Sequence, residues 1–154
     1  SQSRGLGDVY KRQALERQLG GMGLMQPSST YHQFAVGMTG GKMSSSQPET
    51  TIFLNDSMKS IEKKIKASFS GGQSTIEEHR SKGGNPEIDV AYQYLRYFFE
   101  EDDNELNKIR EEYISGELLT GEIKAICIDK ATTWMKTHHE LKDQNQHLVK
   151  DFLN

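Results

Sequence analysis

The chain has 154 residues, of which 34% are hydrophobic and 27% are charged, and its formal net charge is −3 at pH 7. This size fits one ordinary domain, or a small domain with part of another, and no apolar run approaches the roughly 20 residues of a membrane-spanning helix, so we expect no membrane segment. A single cysteine, Cys127, excludes an intrachain disulfide and a zinc cluster built on cysteines, and we expect a cytoplasmic protein.

The first thirteen residues do not resemble the rest of the chain. Residues 8–13, Asp-Val-Tyr-Lys-Arg-Gln, match the translation of a transposon end used to prepare sequencing libraries. We therefore interpret residues 1–13 as a disordered adaptor scar, with a polar N-terminal arm as the alternative, and expect the natural polypeptide to be longer. Without this segment, which holds three basic residues and one acid, the net charge of −3 becomes −5 for residues 14–154. An acidic chain disfavours non-specific nucleic-acid binding, so any RNA contact has to be local.

The next part of the chain has little regular pattern. Residues 14–50 are rich in Gly, Ser, Thr, Met and Gln and show no sustained period, and a short β-type run, Ile-Phe-Leu, follows at residues 52–54. We place a domain boundary just after this run, with residues 14–55 before it and a helical domain, residues 56–154, after it.

The first two helices are predicted from their caps and their apolar stripes. The segment Asn-Asp-Ser at residues 55–57 caps a helix whose stripe we expect to continue until the glycines at residues 71–72; the stripe consists of Met58, Ile61, Ile65 and Phe69. A capping box from Ser74 to Glu77 predicts a short second helix that stops at the glycines of residues 83–84. A turn at Asn-Pro, residues 85–86, follows.

Three further helices complete the prediction. One starts at Asp89, the next has a capping box from Asp102 to Glu105 and ends at Gly116, and a long last helix, continuous or broken once, begins near Thr120. Aromatic residues at helical spacing are core residues in most proteins, so we predict packing roles for Tyr94, Phe98, Tyr113 and Trp134. The histidines lack partners at metal-ligand spacing, and we predict no metal site.

One segment carries chemistry, Met38 to Pro48, with the sequence Met-Thr-Gly-Gly-Lys-Met-Ser-Ser-Ser-Gln-Pro. Its glycines give the backbone freedom, Lys42 supplies a positive charge, and the serines donate hydrogen bonds, so the loop could close on an anion. No Walker spacing or G-x-G-x-x-G pattern is present. On composition alone, a plain linker or a kinase target fits the segment equally well.

Lys42-Met43-Ser44-Ser45-Ser46 resembles the K-M-S-x-S signature loop of class I aminoacyl-tRNA synthetases. The flanking segments are similar to the tryptophanyl-tRNA synthetases of archaea and eukaryotes, from about Gly20 to Leu153. They include Gly-Met-Thr-Gly-Gly before the signature and, after it, Ile-Phe-Leu-Asn-Asp, Phe-Ser-Gly-Gly, Thr-Ile-Glu-Glu-His-Arg and Leu-Thr-Gly-Glu. The resemblance implies a mainly α fold, in which a helical anticodon-binding-type domain follows a truncated remnant of a Rossmann-like α/β catalytic domain.

The resemblance also implies the ligation of tryptophan to tRNA(Trp), in which ATP with Mg²⁺ is a substrate and no cofactor is tightly bound. Lys42 would be the catalytic residue that meets the leaving pyrophosphate, and the ATP-binding loop would comprise Gly40, Gly41, Lys42, Met43, Ser44, Ser45 and Ser46. Serine at position 45 replaces the second lysine of the family's commonest form. The tryptophan pocket is upstream in this family, so we expect this chain alone to be inactive.

The tRNA-binding positions that the resemblance implies are Gln73, Ser74, Thr120 and Lys124. Family members carry an Arg-Asp pair where this chain has Gln73-Ser74, so Lys124 is the better candidate, and an exposed lysine without a partner is the alternative. A homodimer is expected of the full-length enzyme. Two other interpretations stay open at this point: a tyrosyl-tRNA synthetase of the same subclass, and a non-catalytic helical module that binds RNA or protein.

Overall fold

A computed structural model of the chain describes residues 35–148, together with residues 14, 17 and 18. The predicted adaptor scar at residues 1–13 and the last predicted helical positions, beyond residue 148, lie outside the described residues. The division of the chain at residue 55 stays a prediction.

Residues 35–148 form helices and no strand, which confirms the expected mainly α fold for this part of the chain. A single 3-10 turn precedes five α-helices, and the third of them continues as a π-helical segment. None of the helices described is long and apolar enough to cross a membrane. In chain order the elements are the 3-10 turn Pro48–Thr50, α1 Met58–Lys66, α2 Ile76–Lys82, α3 Val90–Tyr94, the π segment Leu95–Phe99, α4 Asp103–Ser115 and α5 Thr120–Gln144.

Side-chain caps start four of these helices, mostly where the sequence predicts them. The Ser57 hydroxyl accepts the Ser60 N–H at the start of α1, and Asp89 and Asp102 cap α3 and α4. The predicted cap at Ser74 is wrong by one residue, because Thr75 accepts the Glu78 N–H instead. Thr75 and Glu78 have the same capping-box spacing as Ser74 and Glu77, and the fold uses the hydroxyl cap of the second pair, while the Glu78 carboxylate pairs with Lys82.

The predicted β-type run at residues 52–54 forms no strand and leads into a turn at residues 54–55. The carboxylate of Asp56 accepts the Phe53 N–H at 2.9 Å, and the Asp56 N–H donates to the Phe53 carbonyl at 3.0 Å. Lys64 pairs with the same carboxylate at 2.5 Å and donates to the Thr51 carbonyl. Partial burial raises the pKa of Asp56, but the charge of Lys64 and the hydrogen bonds from Lys64, Phe53 and Ser60 together outweigh it and leave the pKa below its usual 3.8. An ionised Asp56 therefore fixes the entry into α1.

Helix α1 is shorter than its apolar stripe predicts, because its end is capped by side chains from elsewhere. The Ser68 hydroxyl donates to the Ile65 carbonyl at 2.7 Å, and the Lys124 ammonium donates to the carbonyls of Lys66 and Ser68 at 3.0 and 2.6 Å. These donors satisfy carbonyls that a further helical turn would otherwise use. Phe69 consequently lies outside the helix and is 49% exposed.

The core forms where α5 packs against α1, α3 and the π segment, while α2 packs against α4. The face of α5 in this core repeats every fourth residue, through Ile123, Cys127, Ala131 and Met135, all of which are buried. The predicted core position Trp134 is wrong, since its side chain is 45% exposed. A step of four residues keeps the stripe in contact with the core, and a step of three to Trp134 turns away from it.

The π segment explains a second wrong core prediction, at Phe98. Tyr94 is buried as predicted, but Phe98 is 49% exposed and Phe99 packs against the core in its place. The Glu100 N–H donates to the Leu95 carbonyl at 2.9 Å, five residues back. A π turn adds one residue to the helical period, so the core contact moves from Phe98 to Phe99.

Candidate functional site

The signature loop of residues 42–46 is closed at its base by Thr50, whose side chain is 4% exposed. The Thr50 carbonyl accepts the Met38 N–H at 2.9 Å from the arm that leads into the loop. Its hydroxyl accepts the Ser44 N–H at 3.0 Å and donates to the Gln47 carbonyl at 2.7 Å in the arm that leads out. Both arms of the loop are therefore held by one residue.

The glycines before the signature form a tight turn. The Gly37 N–H donates to the Gly41 carbonyl at 2.7 Å, and the Gly40 N–H donates to the Gly37 carbonyl at 2.8 Å. Gly40 has φ +79°, and a Cβ there would approach the Phe69 ring to 3.3 Å. The positive φ favours glycine at position 40, and the close ring leaves little room for a side chain. The ring of Phe69, predicted to belong to the α1 stripe, packs on this turn instead.

The chemical groups of the loop lie beyond this turn. Lys42 and Ser45 are exposed, Met43 packs against the core, and residues 42–46 have no helical structure. The hydroxyls of Ser44 and Ser46 lie 2.9 Å apart. One ammonium and two adjacent hydroxyls on a surface loop form an arrangement that can bind an anion. The ATP-binding roles of Gly40 to Ser46 stay predictions.

A second surface brings together three of the residues predicted to bind tRNA. Gln73, Ser74 and Thr120 line one shallow cavity of about 340 Å³, together with His79, Leu119 and Glu122. The Gln73 side chain donates to the Gly83 carbonyl at 3.0 Å, and the His79 ring lies 3.0 Å from the Leu118 carbonyl. Two segments that are distant in the sequence therefore share a surface, as their joint assignment to tRNA binding requires.

Lys124 does not line this cavity. Its ammonium reaches the carbonyls of Lys66 and Ser68 at the end of α1 and lies one turn after Thr120 on α5. Burial lowers its pKa from the ordinary value, against an opposing effect of Asp89. The alternative of an exposed lysine without a partner is therefore wrong, while the predicted tRNA contact of Lys124 stays a prediction.

Sequence reasoning missed a buried hydrogen-bond network beneath this cavity, centred on Asp89. Asp89 is 0% exposed and accepts hydrogen bonds from the Gly71 N–H at 2.9 Å, the Tyr92 N–H at 3.1 Å and the Tyr113 hydroxyl at 2.8 Å. The Tyr113 hydroxyl also lies 3.3 Å from the Thr120 hydroxyl. Burial raises the pKa of Tyr113 far above its ordinary value, so Tyr113 keeps the proton that it donates to Asp89.

The network holds the loop before the cavity against the start of α5. A Cβ on Gly72 would collide with the Thr120 hydroxyl and approach His79 Nδ1 to 3.0 Å, so only glycine allows this close packing. The sequence indicated Asp89 as a helix cap and Tyr113 as a core residue. Tyr113 lies in a predicted core stripe, and a buried tyrosine hydroxyl needs a hydrogen-bond partner. This need is the one signal that could have suggested the network.

Comparison with known proteins places this geometry in a family. Residues 8–135 match the family described as tRNA synthetases class I (W and Y). The chain is 51% identical over 134 residues to the tryptophan–tRNA ligase of Saccharolobus solfataricus, an alignment that covers 85% of this chain and 35% of that protein. The chain thus spans about a third of the length of this curated relative.

Two solved structures from the archaeon Aeropyrum pernix allow a direct contrast. The tryptophanyl-tRNA synthetase structure has a TM-score of 0.86 at 32% identity and covers 93% of this chain and 39% of its own. The tyrosyl-tRNA synthetase structure has a TM-score of 0.61 at 18% identity and covers 82% of this chain and 38% of its own. The likeness to the tyrosyl enzyme shows a shared fold, and the tryptophanyl enzyme is closer to this chain in both sequence and structure.

Proposed function

Because the chain belongs to the class I tRNA synthetases for tryptophan and tyrosine, we propose that it is the C-terminal part of a tryptophanyl-tRNA synthetase. The longer enzyme activates tryptophan with ATP and Mg²⁺ and transfers the tryptophanyl group to tRNA(Trp). The observation that carries the proposal is the anchored loop that presents Lys42 beside the paired hydroxyls of Ser44 and Ser46. The enzyme is proposed to act in the cytoplasm as a homodimer.

The choice of tryptophan over tyrosine is supported by the contrast between relatives of one organism. The chain is 32% identical to the tryptophanyl enzyme of A. pernix and 18% identical to the tyrosyl enzyme. Neither of the two sites described above contains the amino-acid pocket. The choice of tryptophan therefore rests on sequence identity to relatives alone. This part of the proposal therefore needs a direct measurement with both amino acids.

In the activation step the tryptophan carboxylate attacks the α-phosphate of ATP and pyrophosphate leaves. Negative charge grows on the leaving group in the transition state, so an ammonium that reaches it only when the loop closes lowers the barrier more than it strengthens substrate binding. Lys42 supplies this ammonium, and Ser44 and Ser46 donate hydrogen bonds to phosphate oxygens. Ser45 carries no charge, so Lys42 is the signature's only cation.

The transfer step requires recognition of tRNA, for which we propose the cavity lined by Gln73, Ser74 and Thr120. Lys124 holds the first turns of α5, and with them Thr120, against the end of α1. This contact supports a positioning role for Lys124. Residues 14–154 carry a net charge of −5, so binding of tRNA by the longer enzyme depends on a few placed contacts.

The test of this proposal is amino-acid-dependent exchange of pyrophosphate into ATP by the longer synthetase that contains this sequence. We expect exchange with tryptophan and none above background with tyrosine. Exchange that depends on tyrosine identifies the tyrosyl enzyme instead. No exchange with either amino acid, in a folded protein supplied with ATP and Mg²⁺, favours the non-catalytic helical module and contradicts the proposal.

Replacing Lys124 with alanine in the longer synthetase should reduce its discrimination between tRNA(Trp) and an anticodon mutant. Without the Lys124 ammonium, two carbonyls at the end of α1 lose their donor, and the contact between α1 and α5 relaxes. If this change weakens binding of tRNA(Trp) by about 1 kcal/mol, the ratio of the two dissociation constants changes roughly fivefold. Filter binding with both tRNAs measures this ratio.

Lys136→Ala is the matched control for Lys124→Ala, since Lys136 is an exposed lysine on the same helix. We expect Lys136→Ala to keep the ratio of the unmodified protein. If Lys124→Ala also keeps this ratio, Lys124 has no part in anticodon recognition.

A further inference from the structure

We propose that Thr50 is the positioning residue of the signature loop, and that its buried hydroxyl holds the loop in the geometry from which Lys42 and the serines meet ATP. The inference rests on the proposed function, because it assigns a role in the same nucleotide-binding loop. Thr50 itself lies outside the signature of residues 42–46 and touches no substrate group in this assignment.

The first support is the number of contacts that the Thr50 hydroxyl makes in a buried place. A threonine hydroxyl has one proton to donate and two lone pairs to accept with. The proton fits the Gln47 carbonyl, at 2.7 Å, and one lone pair accepts the Ser44 N–H, at 3.0 Å. With the side chain 4% exposed, water cannot replace these partners without a rearrangement of the loop.

The second support is the place where the hydroxyl acts. Ser44 is two residues after Lys42, so its anchored N–H limits the positions that the Lys42 backbone can take. The Gln47 N–H donates to the Ser44 carbonyl at 3.1 Å, which closes the turn that brings the Ser44 and Ser46 hydroxyls together. One hydroxyl thereby holds the turn that presents both serines.

The third support is the asymmetry between the two ends of the loop. On the side before Lys42, backbone hydrogen bonds hold the chain, from the Gly37 N–H to the Gly41 carbonyl at 2.7 Å and from the Met38 N–H to the Thr50 carbonyl at 2.9 Å. On the side after Lys42, the Thr50 hydroxyl fixes the chain. A substitution that removes this hydroxyl therefore loosens the side that carries the serines and leaves the backbone hydrogen bonds before Lys42 in place.

The decisive variants are Thr50→Val, which keeps the shape of the side chain and removes the hydroxyl, and Thr50→Ser, which keeps the hydroxyl. In tryptophan-dependent pyrophosphate exchange by the longer synthetase, we expect Thr50→Val to raise the KM for ATP about tenfold, because binding must then order the loop. The KM for tryptophan should stay within about twofold, and Thr50→Ser should restore the KM for ATP. A smaller fraction of folded enzyme lowers kcat and leaves both KM values unchanged, so the rise in one KM separates positioning from stability.

A second measurement uses the 154-residue chain and no nucleotide. Trypsin cleaves after exposed lysines in mobile segments, so Thr50→Val should speed cleavage after Lys42 relative to cleavage after Lys136 in α5, by about threefold or more. Thr50→Ser should keep the ratio of the unmodified chain. General unfolding speeds both cleavages and leaves the ratio unchanged, which would count against the inference.

The two experiments separate failure of the inference from failure of the proposed function. If the unmodified synthetase shows no tryptophan-dependent exchange, the proposed function is wrong, whatever the cleavage ratio shows. If the unmodified synthetase is active and Thr50→Val keeps both its KM for ATP and its cleavage ratio, Thr50 does not position the loop.

Discussion

Replacing Lys42 with alanine in the longer synthetase should lower tryptophan-dependent pyrophosphate exchange by about a hundredfold or more. Removal of a single donor placed for the transition state typically costs roughly 2.7–4 kcal/mol. Ser45 stands where the family's commonest form has a second lysine, so no other cation of the signature can replace Lys42. The loss should appear in kcat more than in the KM for ATP, because the contact forms when the loop closes on developing charge.

The matched control for Lys42→Ala is Lys59→Ala, which removes an exposed lysine of α1. We expect Lys59→Ala to retain the rate of the unmodified enzyme within about twofold, since Lys59 lies outside the signature and solvent and salt screen an exposed charge. Ser45→Lys supplies the second cation and should recover part of the rate when combined with Lys42→Ala. An undiminished rate in Lys42→Ala removes this lysine from the mechanism.

The helices could be predicted from the sequence because their signals are local. A cap, an apolar stripe and a terminating glycine all lie within the one segment that forms the helix, as they do from Asp102 to Gly116. The wrong positions are those where the fold overrides these local patterns. Lys124 and Ser68 cap the end of α1, and the π turn moves a core contact from Phe98 to Phe99.

The candidate site was predictable only in part, for the same physical reason. The signature residues are contiguous, so Lys42 and its serines could be named from the sequence. The groups that hold them in place are contributed by other segments: the Thr50 hydroxyl from beyond the loop, and the Phe69 ring from beyond α1. A threonine in a polar segment gives no sign that it will be buried, because burial depends on the packing of the whole domain.

Asp89→Ala should be among the most destabilising single substitutions in this chain, lowering the free energy of unfolding by about 4 kcal/mol. The carboxylate is fully buried and accepts three hydrogen bonds, from Gly71, Tyr92 and Tyr113. Alanine removes a helix cap, worth about 1 kcal/mol, and leaves two further buried donors without an acceptor, at roughly 1–3 kcal/mol each. Urea denaturation of the 154-residue chain, followed by circular dichroism, measures the difference.

Asp102→Ala is the internal control for Asp89→Ala, because Asp102 also caps a helix but is exposed. We expect Asp102→Ala to lower the free energy of unfolding by about 1 kcal/mol. The difference between the two losses isolates the contribution of burial and of the contacts with Gly71 and Tyr113. Asp89→Asn should fall between the two, since its amide keeps one acceptor oxygen but presents an NH₂ donor in place of the other. Equal losses in Asp89→Ala and Asp102→Ala would mean that the buried network contributes nothing beyond an ordinary cap. The close contact between Gly72 and Thr120 would then depend on packing alone.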